Sequence, residues 1–207
     1  MALLALNILY PYQVTGQIII NSYLTMGLSK KMPMGVSRNF VSALHASGAV
    51  ALAGVSLYTG YDTNAVNVAR IWSSGYFLYD IIFMLKYDKH SLMRSAYLYH
   101  HFASTYLIQL DPAKYYGMHA IFWGELSNLP TYLVYHYLKT NPVHPSLSLY
   151  KKLQKYMYSF IRLPIVGYYL TKAYYDNPIN DRGPIKSIVP IYLMGIIWSM
   201  KLFSQKN

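Results

Sequence analysis

Apolar residues in this chain come in long blocks, and the short stretches between them collect the breakers, which is the pattern of lipid-length helices rather than of alternating strands. The blocks predict seven helices, over residues 4–28, 40–60, 71–87, 95–110, 115–138, 153–175 and 186–203. Between them stand Pro33 with Gly35, the pair Asp111-Pro112, Asn141-Pro142 with Pro145, and Asn177-Pro178 with Gly183-Pro184. Pro130, Pro164 and Pro190 fall inside blocks, where each is expected to kink its helix and free a carbonyl for a neighbour to satisfy. The fold class that follows is all-α: a polytopic integral membrane bundle of six to seven transmembrane helices around a polar cavity. Residues 1–207 read as a single domain, because the spans leave no room for a separate soluble one. The first block holds Asn7, Pro11, Gln13 and Gln17 and has no basic residues ahead of it, so it reads as a retained span rather than a signal peptide.

Composition strengthens the membrane reading. The chain is 54% hydrophobic and 12% charged, against a globular norm of about 25% charged. Its basic residues are unevenly placed. One side of the bundle receives Lys30, Lys31, Arg38, Lys86, Lys89, Arg94, Lys139, Lys151, Lys152, Lys155, Lys201 and Lys206; the other receives Arg70, Lys114, Lys172, Arg182 and Lys186. The richer side is expected to face the cytosol, which puts the C-terminus there and the N-terminus opposite. Tyr10, Tyr12, Tyr58, Tyr61, Tyr115, Tyr116, Tyr174 and Tyr175 with Trp72 then form an aromatic belt at the far boundary. The net charge of +11 is dispersed over short loops, which suits anionic lipid headgroups and not nucleic acid. Cysteine is absent, so disulfides, thiolate metal sites and a cysteine nucleophile are excluded.

Ionisable residues inside the spans are the candidate chemistry, since burying them in lipid is costly. His100 and His101 are adjacent in the fourth block, and Glu125, the chain's only glutamate, lies in the fifth. At about 1.5 Å of rise per residue, His45, His100, His101 and Asp80 lie roughly 8–10 Å from the basic end, Arg162 about 14 Å and Glu125 about 20 Å. These groups are expected to converge on one cavity open to the cytosol. Tyr97, Ser104 and Thr105 share the face of the paired histidines, Tyr76 that of Asp80, and Asn128 and Tyr132 that of Glu125. Two neighbouring imidazoles can divide nucleophilic or proton-accepting work from orienting work. Asp80 and Glu125 need a histidine or Arg162 as partner at such depth. His45 reads equally well as glue between helices, and His119 as a solvated boundary residue.

Metal chemistry finds little footing. Seven histidines are present but no HxxxH or HxxHH box. Ser42, His45 and Asp80 are similar in type to the ligands of seven-span zinc hydrolases, yet the late HxxxH pair that completes such a site is missing. No metal or bound cofactor is expected.

Four segments together resemble a known family: Ser37-Arg38-Asn39-Phe40-Val41-Ser42-Ala43-Leu44-His45-Ala46, Gly75-Tyr76-Phe77-Leu78-Tyr79-Asp80, Tyr99-His100-His101-Phe102 with Thr105, and Glu125-Leu126-Ser127-Asn128-Leu129-Pro130, followed more weakly by Phe160-Ile161-Arg162. In this order, over residues 37–164, they resemble the TLC-domain membrane proteins, which include the ceramide synthases. The resemblance implies a lipid-binding helical bundle, usually of the endoplasmic reticulum, with membrane lipids as partners and self-association open. It also implies acyl transfer from acyl-CoA, as co-substrate, to a lipid amine. His100, His101, Asp80 and Glu125 would then be catalytic, and His45, Tyr76, Ser104, Thr105, Asn128 and Arg162 would bind substrate. Where ceramide synthases carry further acids after the histidine pair, this chain reads His119-Ala120-Ile121-Phe122-Trp123, and Glu125-x-Ser127 is more similar to the smaller relatives. A non-catalytic lipid-binding or lipid-homeostasis role is the alternative.

Overall fold

The computed structural model describes residues 2–109, 114–178 and 182–204. The helices are α1 (Ala2–Ser29), α2 (Met34–Tyr58), α3 (Thr63–Tyr87), α4 (Leu92–Gln109), α5 (Lys114–Thr140), α6 (Leu147–Phe160), α7 (Gly167–Asp176), α8 (Arg182–Lys186) and α9 (Val189–Ser204), with a π-helical turn Ile161–Val166 joining α6 to α7. No strand occurs among the described residues. Counting α6, the π turn and α7 as one rod, seven long helices correspond to the seven apolar blocks.

The described connections between the rods are held by local chemistry. After α2, Gly60 and Tyr61 are both left-handed (φ 65 and 66). The Gly60 N–H reaches the Leu57 carbonyl and the Tyr61 N–H the Ser56 carbonyl, a Schellman closure. Tyr61 adopts this conformation at a cost of about 1 kcal/mol that glycine avoids. Asp62 then caps α3, its carboxylate accepting from the N–H groups of Asn64 (2.9 Å) and Ala65 (3.1 Å).

Close helix approach depends on small residues. α2 packs along α3 and α5, and α1 lies against α3. Ala46, Ala49 and Ala53 of α2 are fully buried, the last two in one cluster with Val66, Ala69, Phe77, Met118 and Ile121. A Cβ at Gly48 would stand 2.6–2.9 Å from the Trp72 ring, and one at Gly75 2.5 Å from Gln17 of α1, so each glycine is a contact point between helices.

The polarity of the bundle runs inward. Ile19, Ile20, Phe40, Leu44, Val55, Ile82, Phe102, Leu193 and Ile197 are exposed, whereas Asn21, Thr25, Ser42, His45, Asp80, His101, Glu125 and Ser127 are buried. Among the described residues, α2 is the one helix long and apolar enough to cross a membrane by length and composition, with a mean hydropathy of 1.6; α9 is a shorter apolar helix.

Several boundaries differ from those expected. α2 begins at Met34, α3 at Thr63 and α6 at Leu147, six to eight residues before their apolar blocks. The first turn of α3 is held by the Asp62 cap, and Val36 in α2 and Leu147 in α6 are buried, local contacts that a hydropathy block does not register. Leu110, expected to end the fourth helix, lies outside the described residues. Pro190 does not kink a helix: it occupies the first turn of α9, where a missing N–H costs nothing. Pro164 does disturb its helix, by forcing the π turn.

Candidate functional site

A cavity with two lobes lies between α3, α4, α5, the π turn and α9. Its polar lobe, about 170 Å³, is lined by Tyr76, Tyr97, His101, Asn128, Thr131, Tyr132, Tyr158 and Trp198 among others. The apolar lobe, about 90 Å³, is lined by Ser104, Leu107, Ile108, Ile121, Val166, Ile188 and Tyr192. Phe77, His100, Glu125, Arg162, Ile191 and Gly195 line both, so the lobes adjoin along these side chains.

Arg162 enters this cavity because of the π turn. Pro164 offers no N–H, and the Gly167 N–H closes on the Pro164 carbonyl. The Leu163 carbonyl is instead taken by the Tyr192 hydroxyl of α9 at 2.8 Å. Gly167 permits that approach, since a Cβ there would stand 2.6 Å from the same hydroxyl. The guanidinium crosses to α5, where Nε donates to Ser127 Oγ (3.0 Å) and Nη2 to the Gly124 carbonyl (3.2 Å) and Asn128 Oδ1 (2.9 Å). It also lies 4.8 Å from the Tyr158 ring centre. The Asn128 amide donates in turn to Glu125 Oε2 at 3.3 Å.

Behind the cavity wall lies a second polar layer. Asp80 is buried and accepts a bidentate pair from Arg38, Nε to Oδ1 at 2.7 Å and Nη2 to Oδ2 at 2.9 Å, while Nη1 of Arg38 reaches Asp88 at 2.9 Å. Of the partners expected for Asp80, a histidine or Arg162, the arginine is not the one found: Arg38 takes that place, with His101 alongside. Arg38 lies one turn into α2, at the height of the third turn from the end of α3, and Arg162 is committed to α5. His101 Nε2 stands 3.7 Å from Asp80 Oδ2, and its ring meets Phe77 edge to face at 5.1 Å. His45 is stacked on Tyr76, ring centres 3.9 Å apart and planes within 5°, with the Trp72 ring 6.4 Å away and near parallel. Neither ring nitrogen of His45 has a hydrogen-bond partner among the described residues; Glu125 Oε1 is 3.9 Å from its Nε2.

The candidate residues thus separate into two groups. His100, His101, Glu125, Tyr76, Ser104, Asn128 and Arg162 face the cavity. Asp80, His45 and Thr105 do not line it. Asp80 serves Arg38, His45 fills an aromatic stack, and the Thr105 hydroxyl turns back to the His101 carbonyl at 2.8 Å. His100 and His101 divide the same way, the first on both lobes and the second joining the polar lobe to Asp80. Arg38, Ser127, Tyr158 and Trp198 were not among the candidates. Arg38 could have been found only by noticing that two aspartates eight residues apart, Asp80 in α3 and Asp88 just past its end, require a cation at the basic end.

At the opposite end His119 is not simply solvated. It stacks on Tyr169 (3.9 Å) and meets Tyr115 edge to face (4.7 Å), with the Tyr61 hydroxyl 3.4 Å from its Nε2. Desolvation in this aromatic group, with Tyr115 alongside, pushes the Tyr61 hydroxyl up to about 12. No cluster of three or more metal-ligating side chains occurs among the described residues.

Compared with models of known protein families, with curated proteins and with solved structures, the chain matches none.

Proposed function

We propose that this chain is a polytopic membrane protein of the TLC-domain type that acts on an amphipathic lipid, with His100 and Glu125 as its acid–base groups. The observation that carries this reading is the joining of a polar and an apolar lobe along His100, Glu125 and Arg162, since a lipid has the same two halves. The inward polarity supports the membrane setting: exposed Ile19, Phe40, Ile82, Phe102 and Ile197 suit lipid tails, and buried Asp80, His101 and Glu125 do not. Residence in the endoplasmic reticulum with a cytosolic C-terminus belongs to the same proposal, through the resemblance and the basic-residue count.

In its most concrete form the reaction is acyl transfer from acyl-CoA to a lipid amine. The amine nitrogen attacks the thioester carbonyl while His100 takes its proton; the C–S bond then breaks, and the departing CoA thiolate receives that proton. His101, set between Phe77 and Asp80, would orient its neighbour rather than touch substrate. Asp80 would act through His101, and Arg38 would hold Asp80 in place.

A second reading, lipid binding without turnover, has one observation in its favour. The lobes of about 170 and 90 Å³ are smaller than the roughly 300 Å³ at which ligand sites usually begin. They suit one headgroup and the start of one chain better than two substrates. Lipid mass spectrometry of membranes carrying the wild type or His100→Ala with His101→Ala separates the readings. A lipid species made only by the wild type is the expected result; identical lipid profiles at equal protein levels would leave binding alone.

A further inference from the structure

The guanidinium of Arg162 carries five N–H donors, and the structure accounts for three of them. Nε is used by Ser127, and the two hydrogens of Nη2 by the Gly124 carbonyl and Asn128. These bonds fix the plane of the group against α5. Nη1 has no hydrogen-bond partner among the described residues and is not one of the fully buried, unsatisfied atoms, and Arg162 lines both lobes of the cavity. No carboxylate among the described residues comes within salt-bridge distance of Arg162, in contrast to Arg38, which holds two. Glu125, the acid on this cavity, turns one oxygen to the Asn128 amide and the other toward His45, and the amide of Asn128 stands between the two charges. A fixed cation with two free donors therefore faces a lobe that also carries Tyr97, Tyr132 and Tyr158, beside a second lobe with an apolar lining.

We propose that this is an anion site: Arg162 Nη1 receives the carboxylate or phosphate head of a single-chain amphiphile whose tail enters the apolar lobe. Charge-assisted hydrogen bonds to a planar guanidinium are the strong class, and the low-dielectric wall keeps them from being screened. The apolar lobe, about 90 Å³, takes the start of one chain. The inference rests on the lipid-active reading above and names the chemical class of lipid head that the site prefers.

Scintillation proximity binding of labelled palmitate to the full chain, purified in neutral detergent, tests it, with lysophosphatidate, hexadecanol and inorganic phosphate as competitors. Palmitate is expected to bind saturably, and lysophosphatidate to displace it. Hexadecanol, which has the tail without the charge, should compete about tenfold less well or worse. Arg162→Gln should weaken palmitate binding by about tenfold or more. Because that change also removes bonds to α5, Glu125→Gln is the deciding variant. It deletes the opposing charge and should strengthen binding about threefold. Hexadecanol competing as well as palmitate, or Glu125→Gln weakening binding, would overturn the anion site while leaving lipid binding intact. Inorganic phosphate competing as well as lysophosphatidate would overturn the assignment to an amphiphile. Failure of every amphiphile to bind would remove both the anion site and the lipid-active reading.

Discussion

Replacing Arg38 by Met is the most demanding test of how the polar layer behind the cavity is held together. Arg38 makes three charge-assisted bonds, two to Asp80 and one to Asp88, at 2.7–2.9 Å. The side chain of Asp80 is 5% exposed and that of Asp88 37%. Loss of Arg38 strands the buried carboxylate, and breaking a buried pair from one side costs about 3–5 kcal/mol. The same contact at Asp88 is largely solvated, so Asp88→Asn should cost under about 1 kcal/mol. A chain of this length loses roughly 2–4 °C of melting temperature per kcal/mol. Arg38→Met is therefore expected to melt roughly 6–20 °C below the wild type, and Asp88→Asn within about 4 °C of it. Adding Asp80→Leu to Arg38→Met removes the stranded charge and should restore most of the loss, because apolar replacement of a whole buried pair is often neutral. Ellipticity at 222 nm against temperature, on detergent-solubilised protein, reads all four proteins. The reasoning fails if Arg38→Met melts with the wild type, or if Asp88→Asn is as damaging as Arg38→Met.

Other expectations follow from single contacts. Gly48→Ala drives a methyl to within 2.6–2.9 Å of Trp72 and should cost about 1–3 kcal/mol with a change in tryptophan fluorescence. Gly16→Ala, with nothing within 4 Å, should be neutral or stabilising by about 0.5–1 kcal/mol in the same melts. Tyr192→Phe removes the donor to the Leu163 carbonyl and should cost about 1 kcal/mol. If Tyr192→Phe leaves palmitate affinity untouched while Arg162→Gln abolishes it, the π turn does not need α9 to aim the arginine. At the end of α7, the Tyr116 hydroxyl and Lys172 hold the Asp176 carboxyl below its ordinary 3.8. A carboxyl depressed in the folded state contributes stability above its unfolded value and loses it as pH falls through the folded one. The gap in melting temperature between wild type and Asp176→Asn should thus be constant from neutrality to about pH 5 and shrink below about pH 4. A gap that widens on acidification contradicts this pairing.

The seven apolar blocks corresponded to seven rods because hydrophobic periodicity survives packing. The first turn of α3 was missed because Asn64 and Ala65 are tied to the Asp62 cap, which an apolar block does not contain. Helical spacing was enough to group His100 with Ser104, and Glu125 with Asn128 and Tyr132, while Arg162 was reached by depth alone; all of them line the cavity. It could not tell a cavity wall from the layer behind it, so His45 and Asp80 were grouped with residues they stand behind. The partner of Asp80 was illegible for a different reason. Arg38 is 42 positions away, and hydropathy assigned it to a loop, so only the packing of α2 on α3 could bring the two together.

The π turn at Ile161–Val166 has one more consequence. A π turn holds a residue that an α-helix does not need, and one residue corresponds to about 100° of rotation around the axis. Deleting a single position there could let the rod heal into regular α-helix, with α6 and α7 keeping their own neighbours. The same deletion in the middle of α2 or α5 would rotate half of an interface out of register. The segment that brings Arg162 into the cavity is thus also where this chain can most readily change length, and such a change would swing the guanidinium to a new bearing while leaving the surrounding scaffold standing.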